Sequence, residues 1–430
     1  MSIMKRVLIF FSSAFFLFFN TVSAQTGVGQ LKQSDSSLIY VNGEGAFLHL
    51  GKTDGVTFNF LTTVQSGFQY NKLDSTNGIS NSNRMSLNLV RIALSAKGFR
   101  DKISLGLVAD FTGISPILEG WVGFSLLNKK ATITLGQKQT NTNNRLAMAD
   151  ERYAMLGQTM GGKSTEGSVY GGLMQNFVST TRELGVFLET NFSIKRMRIY
   201  PSVSITTGEG QNFFNIQNNL GFKYGGRLDI MPFGDFIKNN AYIAHDLYRE
   251  RKPKLALGVA ASFNIRANSP NGSDYGPITG IFNQSGAQGF ANYRKIVGDF
   301  IFKYKGYSLV GEYINGTVYG ANLYTNAGAT NKFTPQIASS YYSLGSGYNL
   351  QASYIFKNEW AIEGRYSHIT PEFNIAGSII HTQNWYTAGI YKYLKSNAVK
   401  IGLNSTYIDD KTISLSMNKW VSNLALQFLF

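Results

Sequence analysis

The sequence predicts an all-β fold: a transmembrane antiparallel β-barrel of about 16 strands, an even number as such barrels require. Three observations carry the prediction. Apolar and polar residues alternate along nearly the whole chain, connections are alternately tight and long, and charges are few. Charged residues make up 15% of the 430, against an average near ~25% in soluble proteins, while 45 residues are Gly and 14% are aromatic. A barrel wall has that composition because half of each strand faces lipid.

The first element lies outside the barrel. Lys5 and Arg6 precede an apolar run from Val7 to Phe19, and Val22-Ser23-Ala24 supplies small residues after it. That order is a secretory signal with cleavage after Ala24, and the run is shorter than a membrane helix needs. Removing residues 1–24 takes away two bases and no acid, so the net charge falls from +15 to +13. Export and the lack of any long basic run exclude nucleic acid as a partner. The chain has no Cys, hence no disulfide framework. Residues 25–55 read as an N-terminal periplasmic segment with a short hairpin, and 56–430 as the barrel.

Strand alternation begins in VTFNFLTTVQSGFQY, where Val56, Phe58, Phe60, Val64, Phe68 and Tyr70 share one face. Thr57, Asn59, Thr63, Gln65 and Gln69 share the other. VRIALSAKG opposes Val90, Ile92 and Leu94 to Arg91, Ser95 and Lys97, and ISLGLVADF, LEGWVGF, ATITLG, LGVFLET and RIYPSVSIT follow the same rule. So do LGFKYGGRLDI, LALGVAASFNIR, VGDFIFKY, YSLVGEY, YNLQASYIF, WAIEGRYS, NWYTAGIY and VKIGLNSTY. Tight turns are expected at 98–101, 127–130, 305–306, 356–359 and 394–397. Long loops are expected at 71–83, 138–181, 207–218, 267–294, 315–340 and 370–383. Segment 232–253 breaks the pattern, being long where a short turn is due. A soluble β-sandwich also alternates, but its strands run near five or six residues, whereas several here reach ten or more.

The chain ends in NLALQFLF. Trp420, Leu424, Leu426, Phe428 and Phe430 fall on the lipid face, Asn423 and Gln427 on the lumen face. Closure requires this strand to pair with the first. Phe428 and Phe430 form the aromatic terminus that resembles the signal read by outer-membrane assembly machinery.

Chemical motifs are sparse. GQTMGGKS, Gly157 to Ser164, fits a phosphate-cradling pattern, but TEGSVYGG after it is too rich in Gly for the helix that pattern requires. His49, His245, His368 and His381 lie in no nucleophile motif and in no metal cluster, so no enzyme, metal or cofactor is expected. Phasing each strand turns Arg91, Lys97, Lys102, Arg198, Lys223, Arg227, Lys254, Arg266, Lys303, Arg365 and Lys400 into the lumen. It turns Asp110, Glu119, Glu183, Glu189, Asp229, Asp299, Glu312 and Glu363 inward as well. Loop 138–181 adds Lys138, Arg145, Arg152 and Lys163 against Asp150, Glu151 and Glu166. The signs are mixed, many charges are expected to neutralise one another across neighbouring strands, and the excess is a small positive one.

The chain resembles the phosphate-selective porin O and P family of outer-membrane porins. The resemblance rests on RMSLNLVRIALSAKGF, ATITLGQKQT, NNLGFKYGGRLDIMPFG, YSLVGEYI and YYSLGSGYNLQASYIF, continued by WAIEGRYSHITPE, WYTAGIYKYLKSNAVKIGLNSTYIDD and LQFLF. It implies a homotrimeric 16-stranded barrel in the outer membrane, a third extracellular loop folded into the lumen, and passive uptake of anions. By the same resemblance, ADERYAML matches the family's loop segment and makes Arg152 and Tyr153 candidates to line the narrowing. The family's strand-five exit reads like Gly-Gln-Phe-Lys-Thr-Pro, whereas GQKQTNTNN places Lys138 one position early and lacks Pro. Dense lysine and arginine ladders are also missing. The expected function is therefore diffusion of small hydrophilic solutes, anionic or neutral, with a weak anion preference and phosphate among the candidates. A barrel whose long loops bind a partner or ligand is the alternative, and an outer-membrane hydrolase a more distant one.

Overall fold

The computed structural model describes residues 31–430 apart from 34–35, 52–54, 76–77, 113–115, 141, 143–181, 213–220, 271–277, 321 and 412–415. The expected signal at 1–24, most of the third loop, Arg145, Arg152 and Tyr153 lie outside the described residues. The strands are β1 (Leu31–Gln33), β2 (Ser36–Val41), β3 (Gly45–Leu50), β4 (Val56–Ser75), β5 (Gly78–Gly98), β6 (Ile103–Asp110) and β7 (Ile117–Leu126). They continue as β8 (Ala131–Gln139), β9 (Arg182–Thr190), β10 (Phe192–Ile194), β11 (Met197–Thr206), β12 (Lys223–Met231), β13 (Lys254–Asn264) and β14 (Asn292–Tyr304). β15 (Tyr307–Tyr319), β16 (Gly345–Ile355), β17 (Trp360–Pro371), β18 (Thr382–Leu394), β19 (Val399–Lys411) and β20 (Ser416–Leu429) complete the sheet.

β9 and β10 are one wall strand split at Asn191. Its backbone N–H and side-chain amide turn aside to donate to the carbonyls of Lys130 and Lys129. β4 to β20 thus make 16 wall strands, all antiparallel to their neighbours. The barrel closes where β20 pairs with β4, from Thr63↔Leu429 to Ser75↔Met417. One further reciprocal pair, between Thr62 and Phe430, carries the ladder to the last residue.

The alternation produces this wall directly. Leu107, Leu188, Val259, Ile390 and Leu424 point outward and are exposed, while Gln65, Lys303, Asn349, Lys400 and Asn423 point inward and are buried. In water the outward set would be a liability, and in hydrocarbon it is the favourable surface. Two aromatic bands ring the outside. Near one rim Tyr348, Tyr366, Tyr386, Tyr407 and Trp420 follow one another across β16 to β20 with ring centroids 5.0–6.4 Å apart. Near the other stand Tyr307 against Tyr354, Tyr354 against Phe356, and Phe428 against Phe430. Such girdles belong at the two membrane–water interfaces.

At the second rim the connections are tight. Lys305 and Gly306 both take positive φ, the conformation a two-residue hairpin turn demands. One expected loop is instead strand. Residues 71–75 and 78–83 continue β4 and β5 as a long hairpin, paired in register up to Ser75↔Gly78. A bulge at Gln65/Ser66 opposite Leu89 and Leu87 shifts the phase of β5, so that Arg84 and Arg91 both face inward.

Segment 232–253 does not turn tightly. It enters the barrel and lies on the inner face of β13 to β18. At the opposite rim the described residues of three loops, 265–270 with 278–291, 322–344 and 372–381, pack over the same side of the barrel. Ala267, Ile281, Ala291, Ala338, Tyr342 and Leu344 form their buried core. Ile380 reaches down onto the inward-facing Ala260, Val297, Ile314 and Ile369.

Candidate functional site

The candidate site is the lumen, and cross-strand register decides which charges meet in it. Arg91 on β5 lies opposite Asp110 on β6 and bonds it at 3.3 Å. Glu119 on β7 accepts from Trp121 Nε1 at 3.3 Å and from Arg182 Nε on β9 at 3.2 Å. Lys138 on β8 runs past the Phe187 ring to Glu189 at 2.9 Å. Lys223 on β12 meets Glu183 on β9 at 2.5 Å, both buried, and Thr206 donates to the same carboxylate. Arg227 is shared between Asp229 at 2.7 Å and Asp299 at 2.8 Å. The mixed signs expected of the lumen are therefore neutralised pair by pair along the β5–β14 wall. Pairs this buried offset a large desolvation cost, so they fix the wall rather than attract solute.

The other expected basic residues occupy different environments. Lys97 points inward beside Thr57 and Ser104 and is exposed. Arg365 faces Gln351 and Thr387 on its neighbours, and Lys400 faces Gln427, with its ammonium 5.7 Å from the Tyr393 ring. Both are buried. Arg198 pairs at 3.0 Å with Asp235 of the inserted segment, both half exposed. Arg182 and Lys295 are also buried, and sequence phasing missed them. Lys295 faces inward with Val297 and Asp299, whereas Arg182 shares the alternation of Leu184 and Val186 at the strand's end and its side chain turns to Glu119. For Lys295 the expected strand starts too late, at 297, although the alternation of Tyr293, Lys295 and Val297 extends it. For Arg182 alternation points to the other face, so phase alone does not find it. Arg145, Arg152 and Tyr153 are not among the described residues.

The inserted segment is held by polar contacts on several wall strands. Lys303 Nζ on β14 lies 2.5–3.0 Å from the carbonyls of Asn240, Ile243 and His245 and from Asn240 Oδ1. The His245 ring sits between Tyr393 Oη at 2.5 Å and Glu363 Oε2 at 3.0 Å, and is fully buried. Asp246 accepts from Asn240 Nδ2 and from the N–H groups of Gly306 and Glu250. These residues knit the segment to the wall, and His245 has no opening through which to act as a catalytic base. Two of the other three histidines make side-chain bonds, His49 to Thr57 and His368 to Asn384 and Thr370. Among the described residues no three His, Asp or Glu side chains converge on a metal position.

Among the described residues, two carboxyls beyond the strand ends are perturbed: the Lys129 ammonium holds Asp101 below its ordinary value, and Glu209 moves the other way. Burial, reinforced by the Glu183 carboxylate, pushes Glu209 up to about 7 despite a hydrogen bond with Asn268.

A closed 16-stranded antiparallel barrel with an apolar outside, aromatic bands near both rims and a charge-paired polar inside defines the class of transmembrane β-barrel folds. Solved structures of that class share it. The chain superposes on the outer membrane channel DcaP of Acinetobacter baumannii with TM-score 0.52, at 9% identity, covering 87% of this chain and 97% of that one. An anion-selective porin from Comamonas acidovorans gives TM-score 0.51 at 10% identity, over 87% and 100%. A loop-deletion mutant of OmpT, an outer membrane protein of Vibrio cholerae, gives 0.51 at 9%, over 87% and 99%. No protein-family model and no curated protein matches the chain.

Proposed function

We propose that the chain is an outer-membrane porin through which small hydrophilic solutes diffuse passively. The observation that carries the reading is the inversion of the wall, apolar outside and polar inside, in a sheet with no open edge. One fold neighbour is described as an anion-selective porin and another as an outer membrane channel, which supports a channel here. The preference is weakly anionic. Lumen charges are largely paired, so a slight excess of exposed bases such as Lys97 biases the passage without a dense binding ladder. Phosphate is one of the anions carried rather than a selected substrate. The expected size limit is the third loop, whose candidate residues Arg145, Arg152 and Tyr153 lie outside the described residues. The chain is exported with cleavage after Ala24, takes its place in the outer membrane as a homotrimer, and uses no cofactor.

The test is single-channel current from the mature protein in a planar bilayer under a salt gradient, with phosphate added as a competitor. Large open steps with a weakly anionic reversal potential and little phosphate block are expected. Absence of current overturns the porin reading, and strong phosphate block at small conductance overturns the weak preference.

A further inference from the structure

We infer that segment 232–253 is a second constriction, fixed at the tight-turn end of the barrel, and that it sets conductance there independently of the third loop. The inference rests on the porin reading. Every other described connection at that rim is a turn of a few residues, so this segment is surplus to joining β12 to β13. It spends that length crossing the lumen. Phe236 and Ala241 pack with Ala256, Ile301 and Val310 on β13 to β15, and Leu247 packs farther round against Ile355, Ala361, Tyr391, Tyr393 and Ala425. At its near corner Lys238 Nζ lies 3.5 Å from Glu44 Oε1 in the β2–β3 turn. That turn rests on the β18–β19 turn across the same rim, where a Cβ on Gly43 would stand 3.1 Å from the backbone nitrogen of Ala398. The segment and the N-terminal hairpin therefore meet beneath the lumen.

What remains open is one side. Wall residues beneath the segment, such as Lys303, Ala361 and Tyr391, have no exposure at all. Away from the segment, Lys97 on β5 and the Glu189 side chain on β9 stay exposed, as do Lys238, Asn239 and Tyr242 along the segment's margin. Solute at this end passes between that margin and the β5–β9 wall, beyond the Arg198–Asp235 pair that ties the segment to β11. The segment does not swing, because release would expose the Phe236–Ala241–Ile301–Val310 contact to a wet lumen and break the Lys303 and His245 bonds together.

Two variants test this. Replacing residues 234–252 by Asn-Gly joins β12 to β13 by a hairpin turn, and single-channel conductance should rise roughly twofold or more with little change in reversal potential. Because the chain has no Cys, Tyr242→Cys supplies the only thiol. A bulky methanethiosulfonate added on the turn side should cut the current of that variant, and should leave Tyr348→Cys on the outer face untouched. A folded, heat-modifiable loop replacement with parental conductance, or a Tyr242→Cys channel indifferent to the reagent, overturns the inference. If the replacement fails to fold, the thiol experiment decides alone. Failure of the porin reading looks different: the parent protein itself passes no current, and the inference falls with it.

Discussion

Gln65 on the first wall strand donates from Nε2 to Oε1 of Gln427 on the last, 2.9 Å away, and neither side chain has any exposure. This contact sits on the closing seam, between two strands far apart in sequence. Gln69 continues it by donating to Asn423 at 3.0 Å, and Asn423 donates to Asn404 on β19 at 3.1 Å. Backbone pairing closes the cylinder, and the side-chain amides fix which residues of the two strands stand opposite one another.

Gln427→Leu should therefore weaken the seam. The buried Gln65 amide loses its acceptor, at a cost of about 1–3 kcal/mol. The temperature at which the folded band converts to the unfolded one on a semi-native gel should fall. In the double variant with Gln65→Leu most of that loss should return, since neither side is left unpaired. Equal loss in the single and double variants would mean that the amide contact contributes nothing to closure.

Lys223→Met should be more damaging. Glu183 and Lys223 form a buried pair at 2.5 Å with 2% and 5% side-chain exposure, so removing the ammonium strands a carboxylate. Breaking one side of such a pair costs about 3–5 kcal/mol. The double variant Lys223→Met with Glu183→Gln should recover most of it, because the amide carries no charge and can still accept from Thr206. Midpoints of urea unfolding from lipid vesicles read both outcomes. A single variant as stable as its parent would show the pair to be solvated in the membrane-embedded protein.

Glu209 gives the loop end a pH dependence. Its carboxyl is pushed up to about 7, first by burial and then by the Glu183 carboxylate, from an ordinary value near 4.5. Between those values the folded protein holds a proton that the unfolded chain has released. Stability of the surrounding loop thus falls as pH rises from 4.5 towards 7, and levels off above. The Gly208 carbonyl accepts from Asn264 Nδ2, so this loop is tied to the end of β13. Amide exchange of residues 207–212, corrected for intrinsic rate, should quicken across that interval in the parent and be flat in Glu209→Gln. A parent profile as flat as the variant's would place Glu209 in water.

How far the sequence discloses this molecule depends on what kind of regularity each part obeys. The wall is periodic, so phase alone placed Arg91, Lys97, Lys223, Arg227, Arg365 and Lys400 on the lumen side, where the register puts them. The hairpin at 71–83 is Asn- and Ser-rich and reads as loop. It is strand because its pairing simply continues past the apolar stretch, where no burial is needed to hold it. Segment 232–253 was visible as an excess of length, but its direction was not. A connection that folds inward has no period, and its signals are non-local: an Asn that needs Lys303, a His that needs Glu363 and Tyr393, and an Asp that needs the Gly306 N–H. The pairing of lumen charges depends on register between strands, which alternation within one strand does not specify.

Phe430→Asp tests the terminal residue itself. The backbone of Phe430 exchanges hydrogen bonds with Thr62 at 2.8 and 2.9 Å, which any residue could keep. Its ring points outward, 54% exposed, stacked on Phe428 with centroids 6.0 Å apart. At the rim of the apolar band a carboxylate costs only about 1 kcal/mol, since the penalty falls towards the interface. A purely energetic role would therefore leave a protein that still assembles. If the aromatic terminus is what the assembly machinery reads, the Asp variant should be largely absent from the membrane fraction in its heat-modifiable form. The same variant should still refold in detergent from urea, and Phe430→Tyr should behave as the parent in both settings. Normal assembly of Phe430→Asp in cells would remove the recognition role. Failure in detergent as well as in cells would show that the ring is needed to complete the seam.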